Sequence, residues 1–173
     1  MPIQIRLAND DDYDLLVQMH VDSWRVAYKG LVPEKYLNEE VVEERQEHWK
    51  EKLPFQVQNR STAIAYDDTT GQSVGFVLSE YDQAVEKEMI YVDHLHVLPG
   101  WQGFGIGKKL LQNACDWTRS KDLKKVYLYV LEQNTQAIKF YENRGWIHDG
   151  DILGQMTRDR AMPTRRYVLS LSE

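Results

Sequence analysis

The sequence has only one cysteine, Cys115, among its 173 residues. A single thiol excludes an intrachain disulfide and a cysteine-based zinc site, and it fits a reducing compartment. Long apolar runs are missing too: none approaches the roughly 20 residues that span a bilayer, so no membrane association is expected. Met1-Pro2-Ile3-Gln4-Ile5-Arg6 lacks an apolar signal core and leads into Asn9-Asp10-Asp11-Asp12. No secretory signal is therefore expected, and the chain reads as cytoplasmic. Positive charge is in short supply, with 21 Lys and Arg against 27 Asp and Glu and a net charge of −6. That balance argues against a nucleic-acid partner and mildly favours cationic small molecules or basic peptides. Repeats, low-complexity tracts and Pro/Ser linkers are likewise missing, so residues 1–173 read as a single domain.

What is present is an ordinary globular composition, 42% hydrophobic and 28% charged, compatible with a sizeable core. Ile3–Leu7 alternates as a strand does. Asn9 or Asp10 is placed to cap a helix whose stripe runs through Leu15, Leu16, Met19, Ser23 and Val26, and Gly30 and Pro33 break it. Asn38 is placed to cap a second helix, acidic at its start and basic at its end. Thr62–Tyr66 and Ser73–Glu80 read as a hairpin, and Glu88–Val97 as a longer strand. Residues from Ile106 to Arg119 show helical spacing. Val126–Leu131, free of charge, fits a central strand covered on both faces. Asn134–Arg144 predicts a helix ended by Gly145, followed by strands at Trp146–Leu153 and Arg165–Leu171. The strand–helix–strand step implies one parallel pair. The expected fold class is α+β (mixed α/β): about seven strands, mostly antiparallel with one splayed parallel pair, flanked by about four helices.

The most informative segment is Val97-Leu98-Pro99-Gly100-Trp101-Gln102-Gly103-Phe104-Gly105-Ile106-Gly107-Lys108-Lys109. A strand ends, glycines follow, and a helix begins; unpaired N–H groups and the helix dipole make such a junction an anion site. Two phosphate motifs fail. A Walker A loop places its first glycine where Gln102 stands and its hydroxyl where Lys109 stands. A dinucleotide fingerprint started at Gly103 meets Lys108, and one started at Gly100 meets Gln102.

The spacing Gln102-x-x-Gly105-x-Gly107 resembles the acetyl-CoA diphosphate loop of the GNAT N-acetyltransferase superfamily. A second segment, Asn134-x-x-Ala137-x-x-Phe140-Tyr141-x-x-x-Gly145-Trp146, is similar to that family's Asn-x-x-Ala-x-x-Phe-Tyr-x-x-x-Gly-Phe, with Trp for Phe. The resemblance is close from about Glu88 to Trp146. It implies an acetyl-CoA-dependent N-acyltransferase, with acetyl-CoA as cosubstrate and an amine as acceptor. It also implies that the pantetheine pairs with backbone near Leu95 and Val97, and that the diphosphate lies on Gln102, Gly103, Phe104, Gly105, Ile106, Gly107 and Lys108. Asn134, with Ala137 leaving space, would hold the pantetheine, and Tyr141 would serve the thioester sulfur. On a helix Asn134 and Tyr141 share a face about 10 Å apart. A homodimer is a family-level expectation.

Several assignments stay open. Asp93 is a candidate base for the amine, with Glu80 and His94 as substitutes, and it also reads as a surface carboxylate. Trp24 and Tyr28, in register with His20, are either core aromatics or a wall for the acceptor. His94 and His96 point the same way from a strand, but the remaining histidines show no ligand spacing, so no metal is expected. Cys115 reads as a small core residue. The rival functions are a non-catalytic acyl-CoA-binding or regulatory module, and a nucleotide-binding oxidoreductase disfavoured by the failed fingerprint.

Overall fold

The structure is a computed structural model, and it describes residues 2–157 and 160–172, without the side chains of 155–157. Seven strands are hydrogen-bonded in the order β1-β2-β3-β4-β5-β7-β6. In chain order the elements are β1 (Ile3–Leu7), α1 (Tyr13–Ala27), α2 (Val41–Glu51), β2 (Arg60–Asp67), β3 (Ser73–Glu80), β4 (Met89–Val97), α3 (Ile106–Ser120), β5 (Lys125–Leu131), α4 (Thr135–Glu142), β6 (Ile147–Thr157) and β7 (Arg160–Ser170). The chain divides into two compact units, residues 1–79 with 94–114 and residues 80–93 with 115–173.

In the first unit Asn9 opens the helical region through a capping box that includes Asp12. Arg6 then grips Asp12 with two bonds, 2.8 and 2.9 Å long. The Arg6 pair holds the Asp12 carboxyl below its ordinary range. The buried stripe of α1 is Leu16, Met19, His20, Ser23 and Trp24, while Val26 faces solvent. The sequence stripe therefore needs correcting at its end: the helix turns Val26 away and brings Trp24 in. Asn38 is no cap either. It lies inside a π-helical turn, Tyr36–Glu40, that runs directly into α2. Trp49 of α2 is fully buried with Leu16, Phe55, Ile64 and Phe76, each worth about 1.5–3 kcal/mol of burial. Gly75 on β3 is required by close approach: a Cβ there would stand 2.7 Å from the His96 carbonyl oxygen.

In the second unit β5 pairs with β7 antiparallel along its whole length. The β5 ladder to β4 is parallel and covers only Met89↔Lys125, Ile90↔Val126 and Tyr91↔Tyr127. It stops there, although β4 continues to Val97 and β5 to Leu131. The reading of β5 as covered on both faces fails at Tyr129, which is 38% exposed. Val126, Leu128, Trp146 and Tyr167 form the local core.

Candidate active site

The loop between β4 and α3 belongs to the first unit. Gly103 and Gly105 hold φ of +86° and +79°, the left-handed region that side chains with a Cβ rarely adopt. Nothing lies within 4 Å of the positions their Cβ atoms would take. Gly105 accepts the Lys109 N–H at 3.2 Å, which starts α3. Among the described residues, the N–H groups from Gly103 to Lys108 donate to no backbone carbonyl outside α3. The loop thus offers N–H groups without a backbone partner outside α3, the positive end of a fifteen-residue helix and free space beside Gly103 and Gly105, which together suit a diphosphate. Gln102, Phe104 and Lys108 are exposed beside it, and Ile106 is buried as the anchor of α3. Lys109 plays a different part: its ammonium donates to the Ile3 carbonyl at 2.9 Å.

Leu95 and Val97, half-buried, close β4 just before this loop. The alternation of the strand also presents His94 and His96, and both meet partners from α1 and α2. His94 Nε2 lies 2.7 Å from His48 Nε2, so a single proton is shared between them. His96 Nδ1 lies 2.6 Å from Ser23 Oγ. His20 is fully buried between two indoles: Trp24 Nε1 is 2.9 Å from its Nε2, and Trp49 Nε1 is 3.0 Å from its Nδ1. An indole nitrogen only donates. A protonated His20 would turn two N–H groups against two N–H donors, so its neighbours oppose the charged form. Burial, then the neighbouring His94, His96 and Arg45, push the His20 pKa well down. Burial and Arg45 push His96 down to about 4. His94 falls for the same reasons, with His96 and Lys52 contributing.

These depressed values set the pH response of stability. An unfolded imidazole titrates near 6.5. Between that pH and about 4 the unfolded chain binds protons that the folded His96 does not. Stability is therefore complete above about pH 6.5 and falls as the solution is acidified. The slope is about 1.4 kcal/mol per pH unit for each histidine held neutral. Urea unfolding at pH 7.5 and pH 5 checks this; equal midpoints would show that the histidines are not held neutral.

Donor atoms of His20, His94 and His96 lie within 4.8 Å of one another, a convergence invisible in the spacing of the sequence. Both His20 nitrogens face indole N–H groups, so coordination there would require expelling a tryptophan. The donor chemistry of that trio fits a metal poorly. Trp24 is only 5% exposed, with the Arg45 guanidinium 4.8 Å from its ring centre. Tyr28 is half-buried, its ring 4.4 Å from that of Trp24. Burial raises the Tyr28 pKa to about 12, against the opposing pull of Arg45.

The second unit holds the other motif. Asn134 caps α4, its side-chain oxygen accepting the Ala137 N–H at 3.2 Å; the side-chain NH₂ remains as a donor. Tyr141 is buried on α4, edge-on to Trp146 at 5.4 Å. Asp93 sits beside Tyr91, whose hydroxyl bonds to it. The Tyr91 ring stacks on Tyr127 at 5.1 Å, and Tyr91 is held protonated by burial and then by the Asp93 charge. The sequence reading takes Ser23 only as a core position and His48 only as a histidine without ligand spacing, and it misses Arg45 and Tyr91. The one signal for Arg45 is its spacing from Trp49, four residues along the same helix.

A mixed seven-stranded sheet with one parallel pair, and a glycine loop running from β4 into α3, is the architecture of the GNAT N-acetyltransferases. The chain belongs to the Acetyltransferase (GNAT) family, whose profile matches residues 18–146. It is similar to an uncharacterized N-acetyltransferase of Archaeoglobus fulgidus, 27% identical over 82% of this chain and 91% of the relative. It is also similar to the spermidine N(1)-acetyltransferase of Thermoplasma acidophilum, 27% identical over 87% of this chain and 92% of that one. The crystal structure of PaiA N-acetyltransferase from Thermoplasma acidophilum in complex with coenzyme A shares the fold. Its TM-score is 0.73 at 20% identity, covering 95% of this chain and 98% of that one.

Proposed function

We propose that this chain binds acetyl-CoA along the end of β4 and the Gln102–Lys108 loop and passes the acetyl group directly to a primary amine of a small molecule or peptide. One observation carries the reading: the N–H groups of Gly103–Lys108 have no backbone partner outside α3, and a Cβ at Gly103 or Gly105 would meet no protein, just beyond a strand whose ladder to β5 ends early. The diphosphate takes the N–H groups of Gln102, Gly103, Phe104, Gly105, Ile106, Gly107 and Lys108. The pantetheine pairs with Leu95 and Val97 as an added strand and takes the Asn134 NH₂, with Ala137 leaving room. The amine nitrogen attacks the thioester carbonyl, whose developing charge meets the N–H near Val97. As the C–S bond breaks, Tyr141 gives its proton to the sulfur. Trp24 and Tyr28 form the acceptor wall.

The proton leaving the amine goes to Asp93, directly or through water. The neutral His94–His48 pair is the second candidate, because it can accept a proton at one nitrogen and hand one on at the other. The two candidates separate in a pH–rate profile of thiol release. Asp93→Asn is expected to depress kcat/KM most at low pH, with His94→Gln nearer to wild type. The reverse order would transfer the role to the histidine pair.

The acidic balance supports a cytoplasmic enzyme without a nucleic-acid partner, and no described helix is long and apolar enough to cross a membrane. A homodimer belongs to the same proposal, supported by the exposed apolar side chains Ile147, Ile152 and Leu153 on β6. Polyamines, amino acids, aminoglycosides and protein N-termini or lysines are the candidate acceptor classes, and the similarity to a spermidine acetyltransferase supports the first of them.

A further inference from the structure

Arg45 lies on α2, and its guanidinium stands over the Trp24 ring, 4.8 Å from ring centre to carbon. Its Nε is buried and has no hydrogen-bond partner. A buried polar atom without a partner costs stability, about 1–3 kcal/mol and more for a charged group, so its retention calls for a reason. The Arg45 charge is felt by His20, His94, His96, Tyr28 and Tyr36, opposing protonation of the histidines and easing ionisation of the phenols. The histidines are neutral, Tyr28 keeps its proton, and the adjacent Glu44 accepts the Tyr36 hydroxyl. A guanidinium lying over an indole face keeps its N–H groups in its own plane, free of the ring. The edge of that plane matches a carboxylate with two parallel bonds.

We propose that Arg45 recognises a carboxylate carried by the acceptor, so that the preferred acceptors are amino acids rather than polyamines. The inference rests on the reading of this site as the amine site. A polyamine brought here would meet the Arg45 cation and neutral imidazoles, with the nearest carboxylate, Glu44, already engaged by the Tyr36 hydroxyl. An amino acid would pair its carboxylate with Arg45. The same positive charge would favour the unprotonated form of its amine, the form that attacks.

The test compares leucine, phenylalanine and γ-aminobutyrate, each with its carboxamide and with the amine lacking that group, and spermidine. Thiol release from acetyl-CoA is followed in wild type, Arg45→Gln and Arg45→Lys. Wild type is expected to favour at least one acid over its amide by about ten- to hundredfold in kcat/KM. Arg45→Gln is expected to erase that preference, chiefly through KM. Arg45→Lys, which keeps the charge without the planar fork, should retain part of it. Calorimetric binding of the N-acetylated acids and amides to the CoA complex gives a readout independent of turnover. Acid-selective binding that disappears in Arg45→Gln supports the carboxylate site, even if no amine is acetylated, a result that would overturn only the catalytic reading. Equal binding of acid and amide in wild type, or a preference for spermidine, overturns the assignment of Arg45.

Discussion

Replacing Gly105 with valine is expected to lower acetyl-CoA affinity by about a hundredfold or more while the protein stays folded. The φ of +79° at Gly105 is the first reason. A β-branched residue is strained there by about 1–3 kcal/mol, and relief of that strain would rotate the neighbouring N–H groups out of their common direction. The second reason is position. The space that a Cβ would fill is empty of protein, so the new side chain meets the incoming diphosphate rather than the core. The loop is exposed at this point, which confines the damage to binding and leaves the buried Ile106 and Leu110 to anchor α3. A hundredfold loss corresponds to about 2.7 kcal/mol. Calorimetric titration with acetyl-CoA, paired with a melting curve, measures both parts. Unchanged affinity would remove the loop from the site.

Tyr141→Phe is expected to lower kcat at least about tenfold with little change in acetyl-CoA affinity or Tm. The ring is buried against Trp146, and phenylalanine preserves that packing, so the substitution isolates the hydroxyl. A phenol with a pKa near 10 is still protonated at neutral pH and can donate to a departing thiolate. General acid help of this kind is typically worth about 10²–10⁴-fold. Steady-state kinetics and a melting curve distinguish the two roles. If kcat holds and only Tm drops, Tyr141 is a packing residue.

The parts of this molecule that were legible in its sequence are those whose causes are local. The glycine spacing at 103, 105 and 107 announces a turn into a helix, because the backbone geometry is set within a few residues. Asn134 announces a cap for the same reason, and the capping bond to Ala137 is present. Strand and helix boundaries came out within a few residues wherever the hydrophobic period was clean, as in α3. Where two local signals competed, the reading slipped. Asn38 has the chemistry of a cap, yet Tyr36 and Leu37 are buried and draw the chain into helical turns before Asn38 is reached. The histidine cluster was illegible for a different reason. His20, His48, His94 and His96 come from two helices and a strand, and only tertiary packing makes them neighbours. The spacing of His94 and His96 shows a shared face but not what that face meets. Arg45 was passed over likewise: an arginine on an acidic helix looks solvated until Trp24 is placed beneath it.

If an amine attacks acetyl-CoA directly on this protein, no covalent enzyme intermediate forms. The most direct measurement mixes the purified chain with acetyl-CoA and primary amines, titrates the free thiol, and follows both acceptor and protein by mass spectrometry. Direct attack predicts thiol and acetylated amine in equal amounts, thiol release that depends on the amine, and no acetyl group left on the protein. Acetyl-CoA that binds and stabilises the fold while no amine is acetylated would contradict it, and would make the chain a binding module.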